Sequence, residues 1–370
     1  MKRKVTYILA NIDKAFAFEW ISFHLDKEKF DLSFILLNND DTEIESYLRN
    51  IGVPVIRIKN KSKRYYPLTF FRLVAALRKF SPDIIHCHIF DAAFLGLMAG
   101  KLLGIKKRIY TRHHASYNHQ FVKKMIPFDK VCNRCASDIV AISKNVENVL
   151  MELENVPKSK IRLIHHGFDL KVFESINFDK VNLLKQRYGT ENKYPVIGVI
   201  ARWFELKGIE YVIDAFKKLL NDYPDAHLVL ANAKGPHKEI IEQKLSTIPK
   251  TNCTTIQFEK DLPHLYCLFD VFTHVPINES IEAFGQIYIE ALAAEVPSIF
   301  TLSGVAPEFI THKENAMVVN FKSSEEILKA MKEILINQDL REKLIRNGKF
   351  SIQKFDLIPF IQKLEQLYEG

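Results

Sequence analysis

The sequence predicts an α/β protein made of two doubly wound, parallel-sheet domains that face each other across a cleft. Three observations predict it. Short β-rich apolar segments alternate with helical patterns along all 370 residues, which is the order of βαβ units. The segments fall into two runs, about seven and then about six, separated by polar sequence near residues 168–178. Neither run has the eight even repeats of a closed barrel.

In the first run, strands are expected at residues 5–10, 32–37, 53–58, 83–88, 108–112, 138–142 and 161–164. Each is a short apolar stretch rich in β-branched and aromatic residues, as in Val5-Thr6-Tyr7-Ile8-Leu9-Ala10. Near-continuous apolar runs of this length suit strands covered on both faces. Helical periodicity separates them, clearest at 69–80 and 92–103. In the second run, strands are expected at 196–201, 227–231, 254–258, 271–274, 298–301 and 317–319. Helices are expected at 209–221, 286–294, 324–337 and 340–350. The expected domains are residues 1–175 and 176–354. No stretch reads as a disordered linker, so the two are expected to be closely coupled.

Composition narrows the function classes. Apolar residues make up 47% and charged residues 26%, with 13 Gly and 14 Pro, which excludes disordered and fibrous classes. The richest apolar run, residues 92–100, stops at Lys101, about half of the ~20 residues a membrane helix needs. The basic start Met1-Lys2-Arg3-Lys4 leads into a strand pattern with no small-residue cleavage site, so a strand is expected there and not a secretion signal. Five cysteines are an odd number that fits a reducing compartment. The net charge of +8 is lopsided: residues 1–175 carry 29 Lys and Arg against 18 Asp and Glu. A basic half suits an acidic substrate, nucleic acid or an anionic membrane surface.

Two loops carry residues suited to a diphosphate and a sugar. Ala201-Arg202-Trp203-Phe204-Glu205-Leu206-Lys207-Gly208 links an expected strand to an amphipathic helix. A helix N-terminus offers free backbone N–H groups and a partial positive charge. Arg202 adds a bidentate fork and Lys207 a point charge. Glu282-Ala283-Phe284-Gly285-Gln286 precedes a helix on which Glu290 lies one turn beyond Gln286. The amides of residues 284–286 and the Glu282 carboxylate then share one loop.

Other constellations read less sharply. Tyr110-Thr111-Arg112-His113-His114 ends a strand, and His86 and His88 alternate to one face of another. His-x-His without a third ligand reads as packing and not as a metal site. Cys132-Asn133-Arg134-Cys135 lacks the second pair of a zinc site and the context of a redox motif. Asn38-Asn39-Asp40-Asp41 reads as a polar loop, because adjacent carboxylates point apart. Neither a dinucleotide fingerprint nor a phosphate loop of the G-x(4)-G-K type is present.

Taken in order, these motifs resemble the retaining glycosyltransferases of family four, of the group 1 type, whose architecture is the two-domain GT-B arrangement of Rossmann-like folds. The resemblance rests on Asp83-Ile84-Ile85-His86-Cys87-His88, Ile139-Val140-Ala141-Ile142-Ser143, Ile164-His165-His166-Gly167-Phe168-Asp169, the Arg202–Gly208 loop and the Glu282-x(7)-Glu290 motif. It implies that helix 355–370 crosses back onto the first domain. It implies that Arg202 and Lys207 hold a donor diphosphate and that Glu282, Ala283, Phe284, Gly285 and Gln286 hold the donor sugar. Phe258, Asp261, Leu262 and Glu290 then take the nucleoside, and Asn11, Asp13, Lys14, His88 and His113 face the acceptor. His113 or His114 matches the histidine beside the reacting sugar, with His114 preferred; His114 and Glu282 are thus the catalytic expectation.

The implied activity moves a sugar, with retention, from a nucleotide-sugar donor to a saccharide or lipid-linked acceptor. A UDP-sugar is the expected donor, in surface polysaccharide, lipopolysaccharide or glycolipid assembly. A nucleotide-sugar 2-epimerase and a non-catalytic sugar-nucleotide-binding protein are the alternatives. No cofactor and no metal are expected, because two cations and a helix terminus already meet the diphosphate. Nucleic acid is not an expected partner, for want of a recognition module. The expected location is the cytoplasm, peripheral on the inner face of the membrane. There Lys59, Lys61, Lys63 and Arg64 beside Tyr65 and Tyr66, with Lys123 and Lys124 among Phe121, Val122 and Met125, would meet anionic lipid. The sequence departs from the family at residues 10–15, where a glycine-rich loop has no glycine, and in Ala201, Ala283 and Glu259, which stand where glycine is common.

Overall fold

A computed structural model describes residues 2–60 and 62–370; the expectation for Lys61 lies outside the described residues. The chain forms two compact units. The first comprises residues 1–168 and 355–370, the second residues 169–354.

The first unit holds β1 (Arg3–Ala10), β2 (Phe30–Leu37), β3 (Val55–Arg57), β4 (Ile84–His88), β5 (Lys107–Arg112), β6 (Asp138–Ala141) and β7 (Ile161–Leu163). They form one parallel sheet in the order β3-β2-β1-β4-β5-β6-β7. The second holds β8 (Val196–Ile200), β9 (His227–Ala231), β10 (Cys253–Ile256), β11 (Val271–His274), β12 (Ser298–Phe300) and β13 (Met317–Val318). Their order is β10-β9-β8-β11-β12-β13, again all parallel. Both are therefore doubly wound Rossmann-like sheets, and β4, β8 and β9 are buried along their whole length.

In each sheet the strand order reverses once. The switch lies between β1 and β4 in the first unit and between β8 and β11 in the second. Loops leaving the carboxyl ends at such a switch diverge and leave a crevice for ligands. These loops carry Asn11, Asp13, Lys14, Arg202, Lys207 and residues 282–286 of the expected site, whereas His113 and His114 follow β5, and Phe258, Asp261 and Leu262 follow β10.

The chain leaves the first unit after Phe168, seven residues before the expected junction at 175. Phe168 is held by its own backbone, whose N–H donates to the Phe355 carbonyl at 2.9 Å. The last helix, Leu357–Glu369, belongs to the first unit and buries Leu357, Ile361, Leu364 and Tyr368 in its core. Tyr368 hydroxyl meets both the Tyr7 hydroxyl and His86 Nδ1, the latter at 2.7 Å.

Candidate functional site

In the second unit the loops after β8 and β11 are tied side by side. Ile277 N–H donates to the Leu206 carbonyl at 3.1 Å. Gly208 adopts φ +64°, and a Cβ there would lie 2.2 Å from the Val275 carbonyl oxygen. Only glycine allows both the turn and that approach. The tight turn brings Lys207 to the start of the helix Ile209–Leu219, and its Nζ bonds to Glu282 Oε1. His274, the last residue of β11, places Nε2 3.4 Å from the same carboxylate oxygen.

Half-buried Lys207 and buried His274 and Glu282 thus form one cluster at the switch point. Burial alone would raise the Glu282 pKa, but Lys207 and then His274 reverse this and hold the carboxyl well below the usual carboxylate range. Burial pushes His274 down, against the pull of Glu282. The ring of His274 packs edge-on against Tyr288 at 4.9 Å. Arg202 is exposed on the same loop as Lys207, its guanidinium 4.8 Å from the Phe204 ring centre.

The expected sugar-binding segment frames a helix N-terminus. Phe284 is buried and its carbonyl accepts from Val305 N–H at 2.9 Å. Gly285, at φ +86°, caps the helix Gln286–Ala293 and sits against the Tyr288 ring. Ala283 lies beside it, half-buried, and Gln286 opens the helix, exposed. One turn on, Glu290 Oε2 accepts from Tyr266 hydroxyl at 3.1 Å, and burial raises its pKa to about 7. Tyr266 closes the short helix Leu262–Tyr266, so Glu290 and the Leu262 segment are brought together. Asp261 bonds to His264 at 2.5 Å, and Phe258 is exposed. Glu259 is turned inward, accepting from Tyr188 hydroxyl at 2.6 Å and from Asp261 N–H at 2.9 Å. It fixes this loop through its side chain.

In the first unit, the glycine-free loop after β1 makes its turn with Asn11, at φ +54°, a conformation that asparagine tolerates better than most residues. Asn11 Nδ2 donates to Asp91 at 3.3 Å, Asn38 Nδ2 to the Ile12 carbonyl at 2.8 Å, and Asp13 accepts from Glu43 N–H at 3.1 Å. Lys14 pairs with Glu43 at 2.9 Å. Side-chain bonds thus hold what glycine would otherwise shape.

The two neighbouring histidines part company. His113 Nε2 is 3.0 Å from His88 Nδ1, and its ring stacks on His166 at 5.6 Å. Burial, then His166, lowers the His113 pKa to about 3; burial lowers His88 far as well. Both are neutral hydrogen-bonding groups at physiological pH. His114 instead faces Asp129 at 3.2 Å and Asn118 at 3.0 Å. Asp129 in turn neighbours the fully buried Arg112, paired with Glu154 at 2.5 Å. The structure therefore groups His88 with His113 and places His114 in a buried charge network.

His274 and His166 were not among the expected site residues. His274 carried a signal, as the last residue of a strand ending at a switch point. His86 and His88 lie on one face, ring centres 4.4 Å apart. Among the described residues, no three His, Cys, Asp or Glu side chains gather as a metal site. Cys132 and Cys135 are buried free thiols in the helix Ile126–Cys135, and burial pushes Cys132 up to about 12.

Two family models match the chain. That described as glycosyl transferases group 1 matches residues 181–350, and that described as glycosyltransferase family 4 matches residues 21–172. The alpha-monoglucosyldiacylglycerol synthase of Acholeplasma laidlawii is 26% identical over 338 residues, 86% of this chain and 83% of that protein. The capsular polysaccharide biosynthesis glycosyltransferase CapM of Staphylococcus aureus is 25% identical over 353 residues, 93% of this chain and 91% of that protein. The structure of Anabaena HepE in complex with UDP-glucose matches in fold, with a TM-score of 0.84 at 18% identity, over 99% of this chain and 100% of that one.

Proposed function

The chain belongs to the group 1 glycosyltransferases, with the two-Rossmann-domain GT-B fold, and from that premise we propose that it moves a sugar from a UDP-sugar to a saccharide or lipid-linked acceptor with retention of configuration. The observation that carries the reading is the Lys207–Glu282–His274 cluster at the β8/β11 switch, beside two helix N-termini. The nucleobase and the acceptor class draw on the relatives: HepE binds UDP-glucose, one relative is named for a glucosyldiacylglycerol and one for capsular polysaccharide.

The second unit binds the donor in this reading. Arg202 and Lys207 take the diphosphate, and Lys207 has N–H donors to spare beyond the one on Glu282. As the sugar–phosphate bond breaks, negative charge grows on the leaving phosphate oxygen. Fixed cations and helix N-termini stabilise it without rearrangement. They meet that charge without a divalent metal, so transfer is expected to persist in EDTA. Glu290 accepts from the ribose hydroxyls. Phe258, Asp261 and Leu262 line the base, and the amides of residues 284–286 with Glu282 hold the sugar. Glu282 is already bonded to Lys207, which makes it a poor nucleophile. Retention then proceeds by front-face attack through an oxocarbenium-like state.

The first unit binds the acceptor, through Asn11, Asp13, Lys14 and His88. His113, not His114, is the histidine we place beside the reacting sugar, because His114 is engaged by Asp129 and Asn118.

The test is incubation with UDP-sugars and candidate acceptors in EDTA, with products read by NMR. A new glycosidic bond of the donor's anomeric configuration supports the reading. Inverted product contradicts retention, and an epimerised nucleotide sugar without a new bond would replace transfer by epimerisation.

A further inference from the structure

His274 is a buried titratable group at the β8/β11 switch with no task in donor binding as proposed. It ends β11 and is 2% exposed. Among the described residues neither of its ring nitrogens makes a hydrogen bond. Nε2 faces Glu282 Oε1 at 3.4 Å, a contact about 0.5 Å longer than an ordinary N–H···O bond. Lys207 Nζ bonds to that same oxygen.

Packing does not account for an imidazole here. The ring meets Tyr288 edge-on, centres 4.9 Å apart at 75°. A phenylalanine would make that contact without burying two ring nitrogens, and burying polar atoms without partners costs free energy. What phenylalanine lacks is an N–H for the carboxylate. Burial pushes the His274 pKa down, so the ring is neutral and carries one proton. A carboxylate only accepts, so the proton belongs on Nε2, facing Oε1.

The ring is held from behind. Tyr288 hydroxyl donates to the Thr301 carbonyl at 3.1 Å, and Thr301 N–H donates to the His274 carbonyl at 3.4 Å. Tyr288 is thereby tied to the strand end that carries His274. Glu282 sits in a loop, where its N–H donates to Ser303 Oγ at 3.3 Å. Its carboxylate is thus addressed from two sides. One is a fixed ring at the end of a buried strand. The other is Lys207, whose charge the donor diphosphate also claims.

We propose that His274 is the positioning residue of the donor-sugar site. Its Nε2–H holds the Glu282 carboxylate in place for the sugar hydroxyls while Lys207 shares its charge with the diphosphate. His274 touches no donor atom and acts through Glu282. This rests on the donor reading and adds one thing to it: sugar recognition depends on His274, and diphosphate binding does not.

The test is calorimetric titration of UDP, UDP-glucose, UDP-galactose and UDP-N-acetylglucosamine against the wild type and variants. His274→Phe and His274→Leu should each bind the preferred UDP-sugar at least ~10-fold more weakly and UDP within ~3-fold. Retained UDP binding shows that the variants fold. His274→Gln, whose amide can donate to the same carboxylate, should recover most of the loss. In a Glu282→Ala background, His274→Leu should change UDP-sugar affinity by less than ~3-fold, because no carboxylate is left to position. Equal loss of UDP and UDP-sugar would make the role structural and overturn the proposal. So would unchanged UDP-sugar affinity in both apolar variants, a glutamine variant no better than the leucine one, or a full further loss in the Glu282→Ala background. A wild type that binds UDP but none of the three sugars also overturns it. No UDP binding by the wild type contradicts the donor reading itself, and the proposal with it.

Discussion

Lys207 and Glu282 hold each other, and that pairing decides what each substitution does. Removing a preorganised charge from a transition state costs about 2.7–4 kcal/mol, so Lys207→Ala and Arg202→Ala should each slow transfer ~100-fold or more. Arg202 is exposed, and Arg202→Ala should melt like the wild type. Lys207→Ala strips a buried carboxylate of its cation and should also lower the melting temperature. Wild-type turnover in either variant contradicts the diphosphate assignment. The histidines separate in the same way. His113→Ala should cost transfer with little change in melting, whereas His114→Ala should cost melting, because it opens the Asp129 network. Equal behaviour of the two would remove the distinction. Glu290 sets a pH dependence. Its pKa is raised to about 7 by burial, so in the free protein it is ionised only as pH rises through 7. If Glu290 takes the ribose as proposed, the ribose hydroxyls donate to the ionised form and UDP should bind about tenfold more tightly at pH 8 than at pH 6, with proton release. By the same linkage the unliganded protein loses stability as pH rises from the ordinary carboxylate range through 7. Glu290→Gln should flatten both curves; an unchanged profile in that variant contradicts the ribose role.

At the scale of elements, the turn between Lys207 and the helix Ile209–Leu219 holds Lys207 against the loop after β11, where the donor diphosphate is proposed to bind. Gly208→Ala would place a methyl 2.2 Å from the Val275 carbonyl oxygen, at a φ of +64°. The two loops must then move apart, and KM for the donor should rise at least ~10-fold while the fold survives. An unaltered KM would show that the loops are not positioned by this contact. The strands were readable from sequence because parallel strands buried on both faces leave unbroken apolar runs. The expected second-unit strands at 227–231 and 271–274 coincide with His227–Ala231 and Val271–His274. Helix starts were less readable. The helix expected at 69–80 begins at Tyr66, because Pro67 fits the first turn while the apolar period starts only at Thr69. The loop after β1 had no glycine to announce its turn, and Asn11 with its bond to Asp91 makes it instead.

At the scale of the whole molecule, two parallel sheets follow from the alternation of strand and helix together with its division into two runs; where each strand order reverses is seen only in the fold. What the alternation does not encode is which side chains meet across a switch point. The spacing of Glu282 and Glu290 was visible, but Lys207 met Glu282 and His274 only when β11 was laid beside β8. The choice between His113 and His114 turned on which one faces Asp129, a contact between residues 15 apart in the chain. The early chain exit at Phe168 likewise depends on Phe355, far along the sequence. The central claim is that the β8/β11 switch binds a nucleotide diphosphate through Lys207 and Arg202. Calorimetric titration of UDP, GDP, ADP and CMP in EDTA, against wild type, Arg202→Ala and Lys207→Ala, tests it most directly. The account predicts that UDP binds the wild type and at least ~10-fold more weakly to each variant. Equal UDP affinity in all three proteins, or none of the four nucleotides binding the wild type, would contradict it.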